Sequence, residues 1–156
     1  MDDYQKLVAK ALETVDEVMP WDLEEDKLNS NLILLDIRER DEFEMMHIPN
    51  SIHIPRGTLE GACVWNYDDT NPALAQARNQ NIILICRSGN RSVLAAQTMQ
   101  QMGFENVRSL KLGIKGWNDN DFEMLDVKGN IIDIDVADEW LNQKVSEEKL
   151  QPNSQS

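Results

Sequence analysis

The chain has 156 residues, of which 41% are hydrophobic and 28% are charged, and its formal net charge is −13. This length and composition indicate one soluble globular domain with a substantial core, and the acidity argues against direct binding of nucleic acid. No apolar run predicts a transmembrane helix, the acidic start Met1-Asp2-Asp3 is unlike a signal peptide, and two cysteines without a secretory segment favour a reducing compartment, by default the cytoplasm.

The charge is unevenly distributed along the chain. Residues 1–46 carry a net charge of −9 and residues 119–156 a net charge of −7, whereas residues 47–118 carry +3. A mildly cationic segment within an acidic protein is expected where a site accepts an anion. For most of the acidic residues, keeping the surface hydrated is a sufficient explanation.

We expect an amphipathic helix packed on the domain in residues 1–17. Apolar side chains recur at helical spacing in residues 4–19, Asp2 or Asp3 can cap the first turn, and Pro20 ends the pattern. Such an apolar face usually belongs to the core, and binding of a partner is the alternative.

The next stretch contains a second short helix and the first buried strand. We predict the helix in residues 21–30, with a turn at residues 29–31. Residues 32–35 form an uninterrupted apolar run, which indicates a strand buried on both faces of a parallel sheet, and Asp36 ends it.

Residues 82–85 repeat this apolar pattern and lead directly into Cys86. After the loop at residues 86–91, apolar residues recur at helical spacing, and Gly103 is typical of a position just past a helix end. Ligands of α/β sheets bind beyond the carboxyl ends of the strands. We therefore expect Cys86 and Asp36 at the same edge of the sheet.

The loop after Cys86 has the composition of an anion-binding turn. Gly89 and Asn90 both tolerate positive φ, as a tight ring of inward-facing amides requires. Backbone N–H groups that turn into a helix N-terminus bind anions, and Arg87 and Arg91 add positive charge. We expect a thiol placed there to ionise readily and to act as a nucleophile near neutral pH. A structural cysteine buried at a strand end is the alternative.

Several motifs resemble those of the rhodanese (sulfurtransferase) family. The sequence Cys-Arg-Ser-Gly-Asn-Arg-Ser at residues 86–92 is similar to the active-site loop of that family and is the most specific of these motifs. The resemblance covers residues 18–118. The other matching stretches, in the family's order, are Asp-Ile-Arg-Glu at 36–39, Glu-Phe at 42–43, His-Ile-Pro at 47–49, Gly-Phe-Glu-Asn-Val at 103–107 and Gly-Ile-Lys-Gly-Trp at 113–117.

The resemblance implies an α/β fold with a central parallel sheet of about five strands and helices on both faces. From the residue patterns outside it, we expect this domain to be extended by the N-terminal helix and by a C-terminal hairpin and helix. The resemblance implies transfer of a sulfane sulfur from thiosulfate or a persulfide to a thiol, cyanide or a carrier protein through a Cys86 persulfide, without a cofactor. It also implies that Asp36 and Arg38 brace the loop through hydrogen bonds, although Arg38 could be a surface arginine. The residues expected to bind the persulfide or the anionic donor are Arg87, Ser88, Gly89, Asn90, Arg91 and Ser92.

Three residues depart from the family pattern. Met46 and Asn50 stand where glycines usually flank the His-Ile-Pro triplet, and Leu112 replaces the first residue of a paired glycine. None of them lies in the cysteine loop. We expect them to change the local backbone more than the chemistry.

The other reactive side chains have less support as catalytic groups. A preformed thiolate needs no general base, so we expect His47 and His53 to be structural, with a catalytic histidine as the alternative. Cys63 could act as a resolving thiol for Cys86, but nothing cationic surrounds it in the sequence, and we expect it to pack with its apolar neighbours. No spacing of cysteine and histidine typical of a metal site is present.

Residues 119–146 form an extension beyond the family resemblance. The sequence predicts a hairpin with strands at residues 122–127 and 131–136, followed by a helix at residues 137–144. Residues 147–156 are polar and are expected to be disordered. The sequence leaves open whether the extension covers the domain or docks a partner.

Two other functions are compatible with a cysteine loop. Phosphatases and arsenate reductases of a related fold place five residues between the cysteine and an arginine, whereas four separate Cys86 from Arg91, and the smaller ring suits a single sulfur atom. A non-catalytic interaction module of the rhodanese family typically lacks the cysteine. The sequence leaves the physiological donor and acceptor open, and predicts no contact with nucleic acid or membrane.

Overall fold

The computed structural model describes residues 1–26 and 31–152. Within these residues, parallel strands form a five-stranded sheet, which confirms the predicted central parallel sheet. The strands are β1 (Asp16–Val18), β2 (Leu32–Asp36), β3 (Ile52–His53), β4 (Asn81–Ile85) and β5 (Asn106–Leu110). Their order across the sheet is β1-β5-β4-β2-β3.

Helices cover both faces of this sheet. The longest described helix, α6, follows the central strand β4, as the sequence predicts. No helix in the described ranges has the length and the apolar character that a membrane crossing requires. The helices are α1 (Asp3–Ala11), α2 (Pro20–Asp26), α3 (Arg40–Met45), α4 (Leu59–Ala62), α5 (Pro72–Ala75), α6 (Asn90–Gln101), α7 (Gly113–Asp119) and α8 (Ile134–Leu141).

Strand β4 divides the core into two apolar clusters because its successive side chains point to opposite faces. Ile82, Leu84 and Cys86 belong to the cluster beneath α1, α4, α5 and α6. Ile83 and Ile85 belong to the cluster beneath α2, α7 and α8. A strand buried on both faces needs apolar residues at every position, which explains its uninterrupted apolar run.

The N-terminal helix is shorter than predicted. Asp2 caps α1, its carboxylate accepting from the Gln5 amide at 2.8 Å, and the helix ends at Ala11. The residues that follow form the edge strand β1, and Pro20 begins α2 rather than ending α1. A three-residue strand is too short to show an alternating pattern of its own, so Val18 of β1 extended the helical pattern. Residues 27–30, with most of the predicted turn, lie outside the described residues.

The predicted C-terminal hairpin is present only as a turn. The Asp126 amide donates to the Asn130 carbonyl at 2.9 Å, and Leu125 forms isolated bridges with Ile131 and His47, without continuous strands. Helix α8 begins earlier than predicted because the Asp133 carboxylate accepts from the amides of its first turn. Asp133 and Asp135, whose alternation with apolar residues suggested a strand, therefore belong to the capped start of α8.

The tail is only partly described. Residues Glu147–Lys149 form a 3-10 turn, and residues 153–156 lie outside the described residues, so the disorder of residues 147–156 stays a prediction.

Candidate active site

Cys86 lies just beyond the carboxyl end of β4, at the bottom of the loop that leads into α6. Gly89 has a φ of 96°, a left-handed conformation that suits glycine, and this turns the following amides inward. The amides of Gly89 and Ser92 donate to the Cys86 Sγ at 3.1 and 3.4 Å. The structure thus brings N–H groups of the predicted loop together around one sulfur atom.

The mouth of this loop is narrow. Cys86 is only 1% exposed, so a donor has to meet the sulfur at the loop surface, where Ser88 and Asn90 are exposed. Asn90 is the first residue of α6 and does not have a positive φ. The expectation that Asn90 shares the left-handed conformation of Gly89 is therefore wrong, because the helix has already begun.

Two buried serines form a chain of hydrogen bonds that begins at the Cys86 sulfur. The Ser92 hydroxyl lies 3.2 Å from Sγ and 2.7 Å from the Ser109 hydroxyl. When the sulfur carries negative charge, Ser92 donates to it and Ser109 donates to Ser92. Ser109 was not predicted from the sequence, where its signal is one serine between Arg108 and the buried Leu110 at the end of β5.

The base of the loop is fixed from the other side by the start of α7. The Ile114 and Lys115 amides donate to the carbonyls of Cys86 and Arg87, each at 3.0 Å. Gly113 has a φ of 56°, and a Cβ atom there would lie 2.3 Å from the Cys86 carbonyl oxygen. Only a residue without a side chain permits this approach.

Arg91 is held by a carboxylate from α3. Its two terminal nitrogens donate to the two carboxylate oxygens of Glu42, both at 2.8 Å. Burial opposes ionisation of Glu42, but hydrogen bonds from Arg91 and from the Glu39 amide outweigh it and lower the Glu42 pKa. Glu42 was not predicted as a site residue, although Glu42-Phe43 is one of the stretches that resemble the family.

Arg87 is also engaged. Its guanidinium donates to the carbonyl of Leu141, the last residue of α8. Cations stabilise the carboxyl end of a helix, where carbonyls lack partners within the helix. The C-terminal extension therefore contacts the cysteine loop directly, and both arginines predicted to bind the donor already have partners.

Asp36 and Arg38 form a fully buried ion pair at the same edge of the sheet as Cys86. The Arg38 guanidinium donates to the Asp36 carboxylate at 2.8 to 3.1 Å and to the Met46 carbonyl at 2.7 Å. These bonds tie β2 to the end of α3 rather than to the cysteine loop. The β2 segment meets the loop through its backbone, where the Ile37 amide donates to the Ile85 carbonyl at 3.0 Å.

The histidines stack on either side of Phe43. Its ring centroid lies 4.1 Å from that of His47 and 4.6 Å from that of His53. His47 Nδ1 lies 2.9 Å from the Phe43 carbonyl oxygen, and His53 Nε2 lies 2.7 Å from the Arg38 carbonyl oxygen. These contacts favour a structural role for both histidines.

Cys63 is fully buried in the apolar cluster beneath α4 and α5. Burial raises its pKa to about 11, although Arg78 opposes the shift. The expectation that nothing cationic lies near Cys63 is wrong, because Arg78 donates to its carbonyl at 2.8 Å and approaches from a position far along the sequence. The raised pKa and the burial favour packing over a resolving thiol.

The fold and this site define an α/β domain that presents one thiol in an anion-binding loop. The family model described as the rhodanese-like domain matches residues 21–120, and the chain belongs to this family.

Curated relatives carry sulfur-transfer names. "Putative sulfur carrier protein YrkF" of Bacillus subtilis is 37% identical over 89 residues, which are 57% of this chain and 43% of that protein. "Adenylyltransferase and sulfurtransferase UBA4" of Candida albicans is 33% identical over 92 residues, which are 56% of this chain and 20% of that protein. The chain thus matches less than half the length of these relatives. The family and these names support a sulfurtransferase.

A solved structure shows the same fold. The Rhodopseudomonas palustris protein titled "Protein of Unknown Function RPA3614, Possible Tyrosine Phosphatase" matches with a TM-score of 0.71 and 24% identity, over 85% of this chain and 96% of that one. At this identity the likeness establishes architecture only.

Proposed function

We propose that the protein carries a sulfane sulfur on Cys86, from thiosulfate or a small persulfide to a thiol, cyanide or a carrier protein. The observation that supports this most is the set of donors around Sγ, two amides and one hydroxyl. Hydrogen bonds donated to a sulfur stabilise negative charge on it, both in the thiolate and on the outer atom of a persulfide.

The first half of the reaction loads the enzyme. The Cys86 thiolate attacks the outer sulfur of thiosulfate, a new S–S bond forms, the S–S bond of thiosulfate breaks, and sulfite leaves with the electron pair. The new sulfur sits about 2 Å beyond Sγ, towards the mouth of the loop. Its negative charge is stabilised there by the loop amides and by the positive end of α6.

The second half of the reaction returns the enzyme to its starting state. A thiolate or cyanide attacks the outer sulfur, the persulfide S–S bond breaks, and the Cys86 thiolate leaves with the electron pair. No group has to remove a proton from the enzyme in either step, which agrees with the structural contacts of both histidines. A carrier protein is a further acceptor in this proposal, because the name of one relative includes a sulfur carrier.

The phosphatase alternative receives less support from the loop. Four residues separate Cys86 from Arg91, and the Arg91 guanidinium is bound by both oxygens of Glu42 rather than directed at an open oxyanion site. The interaction-module alternative does not explain why the amides surround a thiol.

The decisive experiment is intact mass after exposure to thiosulfate. We expect a gain of about 32 Da, one sulfur atom, that dithiothreitol reverses. The gain should persist in Cys63→Ala and be absent in Cys86→Ser. Transfer activity that survives in Cys86→Ser, or hydrolysis of an aryl phosphate without any sulfur loading, would contradict the proposal.

A further inference from the structure

Helix α1 precedes the segment that the family model matches, yet it packs beside the helix of the cysteine loop. Val8 of α1 shares the apolar cluster of Cys86 and of Val93 in α6. Beyond the end of α1, the Thr14 carbonyl accepts a hydrogen bond from the Gln100 side chain near the end of α6, at 2.8 Å. The two helices therefore pair near their carboxyl ends, which leaves the first turn of α1 near the start of α6.

Tyr4 lies in that first turn, four residues before Val8 on the same helix face. Burial raises the pKa of Tyr4, Cys86 raises it further, and Arg91 opposes the change. The pKa of Arg91, raised chiefly by Glu42, is raised in turn by Cys86 and Tyr4. The pairing of α1 with α6 brings the first turn of α1 towards the mouth of the loop, and these reciprocal effects agree with that position because electrostatic effects decline with distance.

The Tyr4 hydroxyl is available to a ligand. Its residue is 45% exposed, and within the described ranges the hydroxyl has no hydrogen-bond partner. The two loop arginines are differently placed, because Arg91 is held by Glu42 and Arg87 by the carbonyl of Leu141. An anion that approaches Cys86 therefore meets a phenol without a hydrogen-bond partner among the described residues, near an Arg91 guanidinium that Glu42 already binds.

We propose that Tyr4 is a donor-binding residue, whose hydroxyl donates a hydrogen bond to the sulfonate of thiosulfate while Cys86 attacks the adjacent sulfur. The inference rests on the proposed sulfur transfer and assigns part of the donor site to a helix outside the family segment. A phenol with the ordinary tyrosine pKa of 10.0 is protonated near neutral pH, as a hydrogen-bond donor has to be, and the upward shift of the Tyr4 pKa does not change this. Loss of this bond weakens donor binding without touching the thiol.

The kinetic test compares Tyr4→Phe with Tyr67→Phe, which removes the same hydroxyl from the other tyrosine of the chain. In Tyr4→Phe we expect the KM for thiosulfate to rise about tenfold, the usual effect of losing a hydrogen bond to a charged group. Release of sulfur from the preloaded persulfide to cyanide should be unchanged, because sulfite has already left. Tyr67→Phe should match the wild type in both half-reactions.

Each outcome separates this inference from the function on which it rests. If the persulfide forms but Tyr4→Phe leaves the thiosulfate KM unchanged, or slows loading and release equally, the donor-binding role is wrong and sulfur transfer stands. If thiosulfate loads no sulfur onto any variant, the proposed function fails and the donor-binding role fails with it.

A titration tests the placement of Tyr4 without relying on activity. In the Tyr67→Phe background Tyr4 is the one tyrosine left in the chain, so the near-ultraviolet absorbance of tyrosinate reports its ionisation alone. Adding Cys86→Ser removes a negative charge beside the phenol, and the pKa of Tyr4 should fall. An unchanged titration curve overturns the placement of the phenol at the loop.

Discussion

The two cysteines are equally buried, and their surroundings differ in the donors they offer to sulfur. Cys86 is 1% exposed and Cys63 is 0% exposed. The Cys86 sulfur accepts from two backbone amides and contacts a serine hydroxyl, whereas Cys63 packs in an apolar cluster. Burial alone therefore does not decide whether a cysteine serves chemistry or packing.

A nearby arginine does not separate the two sites either. Arg91 lies close enough to Cys86 for the cysteine to raise its pKa, and Arg78 lies close enough to Cys63 to oppose the rise in the pKa of that thiol. At Cys63 desolvation prevails and the pKa rises to about 11. What distinguishes Cys86 is the direction of the amides, which is a property of the loop backbone.

Gly113→Ala should have the largest effect, because it moves that backbone. The new Cβ would lie 2.3 Å from the Cys86 carbonyl oxygen, at a φ of 56°. We expect a loss of about 2 to 5 kcal/mol in the free energy of unfolding and a fall of about a hundredfold in the rate of persulfide formation. Urea unfolding and sulfur loading measure the two effects.

The matched control is Gly57→Ala, where no atom lies within 4 Å of the added Cβ and the φ is not positive. It should change stability by no more than about 0.5 kcal/mol. Normal sulfur loading by Gly113→Ala would show that the amides are not held by the start of α7.

Cys63→Ser tests whether Cys63, the cysteine with apolar surroundings, serves packing rather than chemistry. The substitution buries a hydroxyl among apolar side chains, and we expect a cost of about 1 to 3 kcal/mol in stability. Persulfide formation on Cys86 in the folded protein should be unchanged. A variant that keeps its stability but loses sulfur transfer would revive the resolving-thiol alternative.

Much of the fold follows from local sequence patterns. The runs that became β2 and β4 are apolar at every position, which is what a strand covered on both faces requires. The short edge strand β1 could not be separated from the helical pattern before it. Two of the departures from the family pattern have positive φ, 66° at Asn50 and 65° at Leu112, and asparagine adopts this left-handed conformation more readily than leucine does.

The cysteine loop of the site could be predicted from the sequence, but the partners that come from distant parts of the chain could not. The loop is local: Cys86, Gly89 and the start of the following helix lie within a few residues of one another. The local sequence therefore determines their geometry. Ser109 and Glu42 come from other elements, and nothing in a single sequence pairs them with Ser92 or Arg91. Tertiary packing alone brings Ser109 to Ser92 and Glu42 to Arg91.

Ser109→Ala tests the hydrogen bonds around Cys86. It removes the hydroxyl that contacts Ser92, which in turn contacts the Cys86 sulfur. We expect a loss of about 1 kcal/mol of stabilisation of the charged sulfur, and hence about a fivefold slower persulfide formation. Because Ser109 acts through Ser92, the double variant with Ser92→Ala should be no slower than Ser92→Ala alone. Effects that add in full would show that Ser109 acts by another route.

Glu42→Gln should have the smallest effect, and the size of this effect depends on pH. The folded pKa of Glu42 lies below its ordinary value of 4.5, so the ion pair with Arg91 stabilises the protein above that pH and ceases to do so as acid protonates the carboxylate. At neutral pH we expect the variant to be less stable by at most about 1 kcal/mol, since the pair is partly exposed. Urea unfolding at a series of pH values should show this difference constant above the ordinary pKa and shrinking towards zero below it. A difference that instead grows in acid would mean that burial, rather than Arg91 and the Glu39 amide, controls Glu42, and the charge balance beside Cys86 would have to be redrawn.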